Sequence, residues 1–196
     1  MGIALLALLA GYVLGTIPTA VIVARRTGHD PTREGSRNPG ASNVYRVAGR
    51  GAGVATFAGD VAKGAAAAAV GLVIGGYALG IAMGIAAIVG HTLPPWGHRG
   101  GKGVATAGGM VLALYPLVGL GALVLWLVLV RLTGKASVAS LVVVAVVPVG
   151  VALVGRPGGE VAAVAVVSGY IVIRHAGNIA RLLSGREQTV RPRPPT

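Results

Sequence analysis

The chain contains no cysteine and very few acidic or aromatic residues. Without cysteine it can form no disulfide, no thiolate nucleophile and no thiolate metal site. Only five of its 196 residues are Asp or Glu, and they do not cluster, so a carboxylate-rich metal site is not expected. Aromatic residues make up 4% and do not alternate with basic ones, which argues against a surface that stacks nucleic-acid bases. We therefore expect no metal, no other cofactor and no nucleic-acid partner.

Charged residues are scarce as well. They make up 11% of the chain, against roughly 25% in a typical soluble domain. Hydrophobic residues make up 54% and the mean hydropathy is +0.78. The apolar runs are continuous and lack the alternation of outer-membrane barrel strands. The composition predicts an all-α integral membrane protein built as one polytopic domain.

The few charges that do occur are mostly basic. Seventeen Lys and Arg residues give a net charge of +12. Nucleic-acid binding, attraction to anionic lipid headgroups and the positive-inside rule all compete to explain this excess. Basic loops of membrane proteins face the cytoplasm in any case, so that rule accounts for most of the charge, and membrane lipids are expected partners.

The order of apolar runs predicts about seven transmembrane helices, with the N-terminus outside and the C-terminus cytoplasmic. Residues 2–24 are followed by two arginines, whereas a secretory signal peptide has its charge before the apolar run. They therefore form a retained first helix, and residues 25–50 form a polar loop. Later spans are expected at about 52–75, 77–92, 137–155 and 160–173.

Residues 104–130 are ambiguous. One helix of that length would be about 40 Å long at ~1.5 Å per residue, too long for a hydrocarbon core of about 30 Å without tilt. Two spans broken near Pro116 are both short. Two passes place every basic residue except Lys63 and Arg156 on the cytoplasmic side, so we expect two.

A glycine-rich turn with one lysine opens directly into an apolar helix. Its sequence is Arg99-Gly100-Gly101-Lys102-Gly103-Val104-Ala105-Thr106. Glycines let the backbone approach a ligand closely, and the free N–H groups at a helix start form a nest for an anion. Lys102 adds a point charge with three donors. The turn predicts a phosphate handled at a membrane surface.

Three further polar clusters have both functional and structural interpretations. Residues 35–46 offer hydroxyls, amides and guanidinium groups suited to phosphate or glycerol oxygens, or form a basic loop with turn residues. Asp60 and Lys63 share a helix face and either line a site or form a structural ion pair. Arg174, Asn178 and Arg181 fall at helical spacing on one face, with His175 beside them; basic residues that snorkel to the headgroups are the alternative.

Single residues between these clusters also have bland explanations. His91 ends the third span and is suited to a hydrogen-bonded cap, and Trp96, in the loop that also holds His98, to an interfacial anchor. Ser137 and Ser140 begin the sixth span, where a hydroxyl is often only a cap.

These clusters, in this order, resemble the bacterial membrane glycerol-3-phosphate acyltransferases that use acyl phosphate as donor. That family shows Gly-Ser-x-Asn-Pro-Gly-Ala-Thr/Ser-Asn, Asp-x-x-Lys-Gly, Gly-His…Gly-Gly-Lys-Gly-Val-Ala-Thr and Arg-His-x-x-Asn-Ile-x-Arg-Leu. Here the motifs occupy residues 35–43, 60–64, 90–106 and 174–182, and Gly185 and Glu187 match a further Gly-x-Glu. Arg37 stands where the family usually has glycine. The loop between His91 and Gly100 is one residue short and lacks the aromatic residue that normally precedes the basic residue.

The resemblance implies acyl transfer from acyl phosphate to the 1-hydroxyl of glycerol 3-phosphate, giving lysophosphatidate and phosphate, the first step of phospholipid synthesis. It implies an acyltransferase domain over residues 1–186 in the bacterial plasma membrane, with its active site facing the cytoplasm. Residues 187–196 are expected to form a basic, Pro/Arg-rich disordered tail.

The residues that match the family's motifs are the candidate site. Those expected to be catalytic are Ser36, Lys102 and His175. Those expected to bind substrate are Asn38, Ser42, Asn43, Arg46, Lys63, His91, Gly100, Gly101, Gly103, Thr106, Ser137, Ser140 and Asn178.

Other functions remain open at this level. A small phosphate or anion transporter would use the same basic residues, although no internal repeat of the transporter kind is evident. A paralogue with an altered substrate fits the two departures. Synthesis from a CDP-alcohol fits poorly because it needs clustered carboxylates. The acyl-chain preference, donation by acyl-CoA or acyl-carrier protein, and the oligomeric state, a monomer included, are left undecided.

Overall fold

The structure, a computed structural model, describes residues 2–95 and 100–190. These residues fold into helices joined by short turns, without a β-strand among them. The helices are α1 (Gly2–Thr16), α2 (Thr19–Arg25), α3 (Ala41–Thr92), α4 (Val104–Leu114), α5 (Pro116–Thr133), α6 (Ala136–Leu153), α7 (Gly158–Arg174) and α8 (Ala176–Leu183).

The long helix α3 is interrupted twice. Gly49 and Gly76 have positive φ angles of 88° and 72°, which glycine adopts without the steric cost of a Cβ. The chain reverses at Gly75–Gly76. The two arms then lie so close together that a Cβ on Gly71 would be 2.6 Å from the carbonyl oxygen of Leu79. Segments 50–74 and 77–92 therefore pack side by side as a helical hairpin.

Small residues let the helices approach until their backbones touch. A Cβ on Gly15 of α1 would overlap the Ala87 carbonyl of α3, and a Cβ on Gly109 of α4 would overlap the Val61 carbonyl, also of α3. Such contacts are typical of membrane bundles, where packing rather than the hydrophobic effect draws helices together. They hold both α1 and α4 directly against the α3 hairpin.

The apolar surface divides into a core and an outer face. The main core lies between α4, α6 and α7 and includes the fully buried side chains of Met110, Val151 and Ile171. Helix α5, by contrast, buries only Gly119 and leaves large side chains such as Leu117 79% exposed. An apolar helix with so little burial needs lipid around it.

Among the residues that the structure describes, four helical stretches are long and apolar enough to cross a membrane, namely 2–25, 41–92, 116–133 and 136–153, and the second of these contains the hairpin turn at Gly75–Gly76. The pair α7 and α8 is a further candidate bent by 58°. The expected break near Pro116 is confirmed, since α4 ends at Leu114 and α5 begins at Pro116. The number of passes and the side of each terminus stay predictions.

Two boundaries differ from the expectation. The polar loop after the first span does not reach residue 50, because α3 begins at Ala41. The region after Arg174 forms the short amphipathic helix α8, and the segment beyond it still contacts the bundle, since the Val190 amide donates to the Gly134 carbonyl at 2.7 Å. The final residues of the expected tail, 191–196, lie outside the described residues.

The absence of cysteine allows a direct test of the two-pass interpretation of residues 104–133. We expect a thiol-reactive, membrane-impermeant label to reach Arg37→Cys and Lys135→Cys from the same side and Gly159→Cys from the other. Measurement in right-side-out and inverted vesicles separates the two faces, and the parent protein supplies an unlabelled background. Labelling of Arg37→Cys and Lys135→Cys from opposite sides contradicts the topology.

Candidate active site

The glycine-rich turn ends as the sequence predicts, at the start of a helix. Gly103 has a left-handed φ of 89° and precedes Val104, the first residue of α4. The first amides of any helix lack intrahelical acceptors and carry the positive end of the helix dipole. An anion placed against this turn finds N–H donors and a partial positive charge.

Arg174, at the end of α7, holds the carbonyl groups of this turn. Its Nη2 donates to the carbonyl oxygens of Gly101 at 3.1 Å, Thr92 at 3.3 Å and Gly100 at 3.4 Å. Three acceptors that would repel an anion are thereby bound to a cation. The same hydrogen bonds connect the turn to the ends of α3 and α7.

Gly100 and Gly101 pack too closely on their neighbours to be replaced by residues with a side chain. A Cβ on Gly100 would overlap the carbonyl of His91, and a Cβ on Gly101 would overlap His91 Nε2 and lie 3.2 Å from the Pro39 carbonyl oxygen. His91 therefore lies directly against the turn. The contact with Pro39 shows that the loop of residues 35–40 meets the turn in space.

Asn43 organises that loop. Its Oδ1 accepts from the Ser36 amide at 2.9 Å and from Arg46 at 3.3 Å, and its Nδ2 donates to the carbonyls of Pro31 and Glu34, both at 3.0 Å. Since the buried amide is saturated by protein groups, Asn43 shapes the loop and has no capacity left for substrate. Arg46 also donates to Ser36 Oγ at 3.2 Å, which holds that hydroxyl at the exposed side of the loop.

The other loop candidates keep open side chains. Asn38 and Ser42 are half-buried, and neither side chain makes a hydrogen bond within the described part of the chain. Arg37 is exposed and adopts a left-handed φ of 57°, the only non-glycine residue of positive φ among residues 2–95 and 100–190. Its conformation explains why glycine suits this position.

The C-terminal cluster is built across a helix break rather than on one helix face. α7 ends at Arg174, and α8 begins at Ala176 after a bend of 58°. Asn178 donates to Glu187 Oε1 at 2.6 Å, and Arg181 Nε donates to Glu187 Oε2 at 2.8 Å. Burial raises the pKa of Glu187, but the hydrogen bonds from Asn178 and Arg181 and the charge of Arg181 outweigh it and lower that pKa overall. Glu187 is thus ionised and fixes Asn178 and Arg181.

His175 lies at the break and is uncharged near neutral pH. Its Nδ1 is 2.8 Å from the carbonyl oxygen of Ile171, so Nδ1 carries the proton and Nε2 is left as an acceptor. Burial, together with the charge of Lys102, lowers the pKa of His175 to about 4. Its Nε2 can accept a hydrogen bond from a hydroxyl without competing for its proton.

Lys102 lies at the centre of a cationic cluster that joins all three parts of the site. Burial and then the charge of Arg181 lower its pKa to about 8, with further contributions from Arg46 and Arg174. Arg46 in turn is within electrostatic range of Arg181 and Glu187. Four cations thus share one carboxylate, and Lys102 itself has no hydrogen-bond or ion-pair partner within the described chain. Such an excess of positive charge is suited to a multiply charged anion.

Two buried polar atoms in this cluster lack a partner. Arg46 Nε and Asn178 Oδ1 are buried, and neither makes a hydrogen bond to any described residue. Buried polar groups are nearly always paired, and leaving one unpaired costs about 1–3 kcal/mol. A donor and an acceptor held free beside Lys102 are suited to a ligand that carries both an anionic oxygen and a hydroxyl.

A second polar network lies deeper in the bundle. Asp60 binds Lys63 Nζ at 2.8 Å, approaches His91 Nδ1 at 3.4 Å and accepts from the Thr19 hydroxyl. Lys63 also donates to the Ile17 carbonyl at 3.0 Å. The expected pairing of Asp60 with Lys63 is confirmed. Lys63 is buried and bound to Asp60 and Ile17, and Asp60 in turn contacts His91, so this network lies behind the His91 side of the turn.

Two predicted substrate ligands lie among packed helices. Ser140 Oγ accepts from the Trp126 indole at 3.1 Å. Thr106 is fully buried, its backbone lies against Gly64 of α3, and its hydroxyl has no hydrogen-bond partner among the described residues. Substrate binding by either residue stays a prediction. The expectations for Trp96, His98 and Arg99 lie outside the described residues.

Three residues of the site were not predicted from the sequence. Arg174, Arg181 and Glu187 hold the turn and the C-terminal cluster together, yet they are not among the expected site residues. Helical spacing indicated the two arginines but placed them on a common face of one helix, which the bend at His175 removes.

An apolar groove begins beside the cluster. It lies between α4 on one side and α6 and α7 on the other, and is lined mainly by small and branched side chains, including Val104, Ala107, Val111, Val147, Val164 and Ile171. A Cβ on Gly103 would lie 3.8 Å from Ile171, so the glycine turn and the mouth of the groove are adjacent.

Fold and site together define a class of protein: a helical membrane protein with a cationic cluster beside an apolar groove. Comparison with known proteins identifies one family. The family model described as glycerol-3-phosphate acyltransferase matches residues 5–185. The chain belongs to the glycerol-3-phosphate acyltransferase family and is an integral membrane acyltransferase.

Individual relatives agree with this assignment. A glycerol-3-phosphate acyltransferase of Rhizobium meliloti is 43% identical over 186 residues, covering 93% of this chain and 90% of the relative. One of Thioalkalivibrio sulfidiphilus is 39% identical over 190 residues, covering 93% and 91%. The crystal structure of PlsY, an integral membrane glycerol 3-phosphate acyltransferase in its glycerol 3-phosphate form, superposes with a TM-score of 0.90 at 34% identity, covering 95% and 94%. A lysophosphatidic acid form of PlsY gives a TM-score of 0.88.

The close packing of Gly100 gives a test of the turn. We expect Gly100→Ala to destabilise the protein by about 1–3 kcal/mol, the usual cost of overpacking, because the new methyl group would overlap the backbone carbonyl of His91. Thermal unfolding in detergent micelles measures the loss. Gly121→Ala is the matched control, since a Cβ there meets nothing within 4 Å; equal stability of the two variants contradicts the close contact.

Proposed function

We propose that the chain transfers an acyl group from acyl phosphate to the 1-hydroxyl of glycerol 3-phosphate, releasing lysophosphatidate and phosphate. The observation that carries this proposal is the cluster of Arg46, Lys102, Arg174 and Arg181 at the mouth of an apolar groove. Acyl phosphate and lysophosphatidate each join a phosphate to one long chain. A cationic site that opens onto an apolar groove complements both molecules.

The glycine turn is the proposed site for the phosphate of acyl phosphate. Its amides and Lys102 neutralise that phosphate as it becomes the leaving group. Preorganised donors aimed at developing charge are the largest source of rate enhancement in many enzymes. The donor is already an activated anhydride, so alignment and charge neutralisation suffice.

Glycerol 3-phosphate is proposed to lie between the loop and α8. Ser36 and Arg46 would bind its phosphate, and the free Asn178 Oδ1 and His175 Nε2 would accept from its hydroxyls. These groups come from three separate parts of the chain, all within range of Lys102 or Arg46. The role of Ser36 is therefore to bind and orient the acceptor, because no histidine in the described chain hydrogen-bonds to its hydroxyl as a base would.

The chemical step needs no covalent acyl-enzyme. The 1-hydroxyl oxygen attacks the carbonyl carbon of the donor, the bond from that carbon to the phosphate oxygen breaks, and phosphate leaves. We propose that the hydroxyl proton passes to a phosphate oxygen of the substrates. A histidine whose pKa is about 4 is a weak general base near neutral pH, so His175 orients the hydroxyl instead.

The groove between α4 and the α6–α7 pair is the proposed site of the acyl chain. The exposed Gly108 of α4 lies in its wall, which gives a side opening toward lipid. The basic loops that flank the cluster favour the cytoplasmic face of the plasma membrane by the positive-inside rule. Substrate would then enter from the cytoplasm, and the product would leave into the bilayer.

Purified protein with palmitoyl phosphate and glycerol 3-phosphate tests this function. We expect lysophosphatidate to form, and a parallel reaction with palmitoyl-CoA decides whether a thioester can donate. Lys102→Ala is expected to abolish turnover because it removes the central cation of the anion site. Arg50→Ala, an exposed cation outside the cluster, should retain it; activity that survives Lys102→Ala excludes the proposed phosphate site.

The proton transfer makes a separate prediction. We expect His175→Gln to lower kcat less than tenfold, since glutamine can still accept a hydrogen bond. The pH profile should keep a single alkaline limb, because Lys102 loses its charge as the pH rises through its pKa of about 8. Steady-state kinetics from pH 5 to 10 measure both; a loss of a thousandfold (about 4 kcal/mol) would identify His175 as an obligate base.

A further inference from the structure

Buried side chains follow the apolar groove at the end far from Lys102. Leu114 and Tyr115 at the end of α4 are 2% and 4% exposed, and Val151 of α6 is fully buried. These three side chains belong to the same packed core as the groove walls. Leu114 and Val151 come about one helical turn after the lining residues Val111 and Val147, and the three are called the floor below.

A polar clasp holds this floor in place. The Tyr115 hydroxyl donates to Glu160 Oε2 at 2.7 Å, and Arg156 binds both carboxylate oxygens of Glu160 at 3.0 and 2.9 Å. The Arg156 guanidinium lies 3.7 Å from the centre of the Tyr77 ring, which stacks on Tyr115. The clasp joins the turn between α4 and α5 to the start of α7. Nothing in the proposed catalytic step uses it.

The chain segments at both ends of α4 are therefore linked to α7. Near the site, Arg174 holds the carbonyls of Gly100 and Gly101; at the far end, Glu160 holds Tyr115. Glu160 and Arg174 are 14 positions apart on α7, which is about 21 Å at ~1.5 Å per residue. The groove lies between these two bridges, so its length is limited by the chain itself.

From this geometry we infer that the floor of Leu114, Tyr115 and Val151 limits the length of acyl chain that the enzyme accepts, and that the Tyr77–Tyr115–Arg156–Glu160 clasp keeps the floor rigid. The inference rests on the proposed function, since it takes the acyl chain as the occupant of the groove. A chain longer than the groove must bend out through the opening at Gly108 into lipid, so its additional carbons make no contact with the groove walls and add nothing to binding. Selectivity is thus set at the end of the groove opposite the chemistry.

The test compares dodecanoyl, palmitoyl and stearoyl phosphate as donors. Val147→Phe fills the deep end, and we expect it to lower the ratio of stearoyl to dodecanoyl kcat/KM at least tenfold. Val146→Phe is the matched control on α6: Val146 is 42% exposed and outside the groove, so its ratio should equal that of the parent protein. An unchanged ratio in Val147→Phe, or an equal change in Val146→Phe, overturns the inference.

Two variants that enlarge or loosen the floor keep the inference testable if Val147→Phe folds poorly. Leu114→Ala lowers the floor and is expected to raise the stearoyl to dodecanoyl ratio. Tyr115→Phe removes the hydroxyl that binds Glu160 and should broaden the chain-length profile while the KM for glycerol 3-phosphate stays constant. Profiles identical to the parent in both variants contradict the inference. Failure of the parent protein to make lysophosphatidate from any donor refutes the proposed function itself.

Discussion

The contact between one arginine and three carbonyl groups determines the form of this site. Arg174 binds the carbonyls of Thr92, Gly100 and Gly101, which leaves the amide side of the turn for an anion. The same contact fixes the end of α7 against the end of α3, so His175 and α8 are carried to the turn. Without this cation the carbonyl dipoles and the incoming phosphate would repel each other.

In this site a cationic surface and an apolar groove lie next to each other. On one side, four cations face a single carboxylate, and Lys102 is desolvated enough that its pKa falls to about 8. On the other side, branched aliphatic side chains form a groove with almost no polar lining. A substrate with one charged end and one apolar end is oriented by this boundary before any specific hydrogen bond forms.

Local features of the chain were predictable from its sequence, whereas distant contacts were not. The turn into α4 and the Asp60–Lys63 pair depend on residues within a few positions of one another, and both are confirmed. The helix break at His175 was not foreseen, because Arg174, Asn178 and Arg181 keep a helical spacing across it. Motif position also could not show that the Ser140 hydroxyl accepts from the Trp126 indole, because that contact joins two different helices. The grip of Arg174 on Gly101 links residues 73 positions apart, and only tertiary packing reveals it.

The buried pair of Asp60 and Lys63 makes two helical stretches depend on each other. A charge on a lone helix in the bilayer is costly, and Lys63 donates to the Ile17 carbonyl, which lies at the break between α1 and α2. The first helical stretch therefore supplies part of the polar surroundings that a lysine needs inside the bundle. The break before Pro18 thus serves a charge that belongs to another helix.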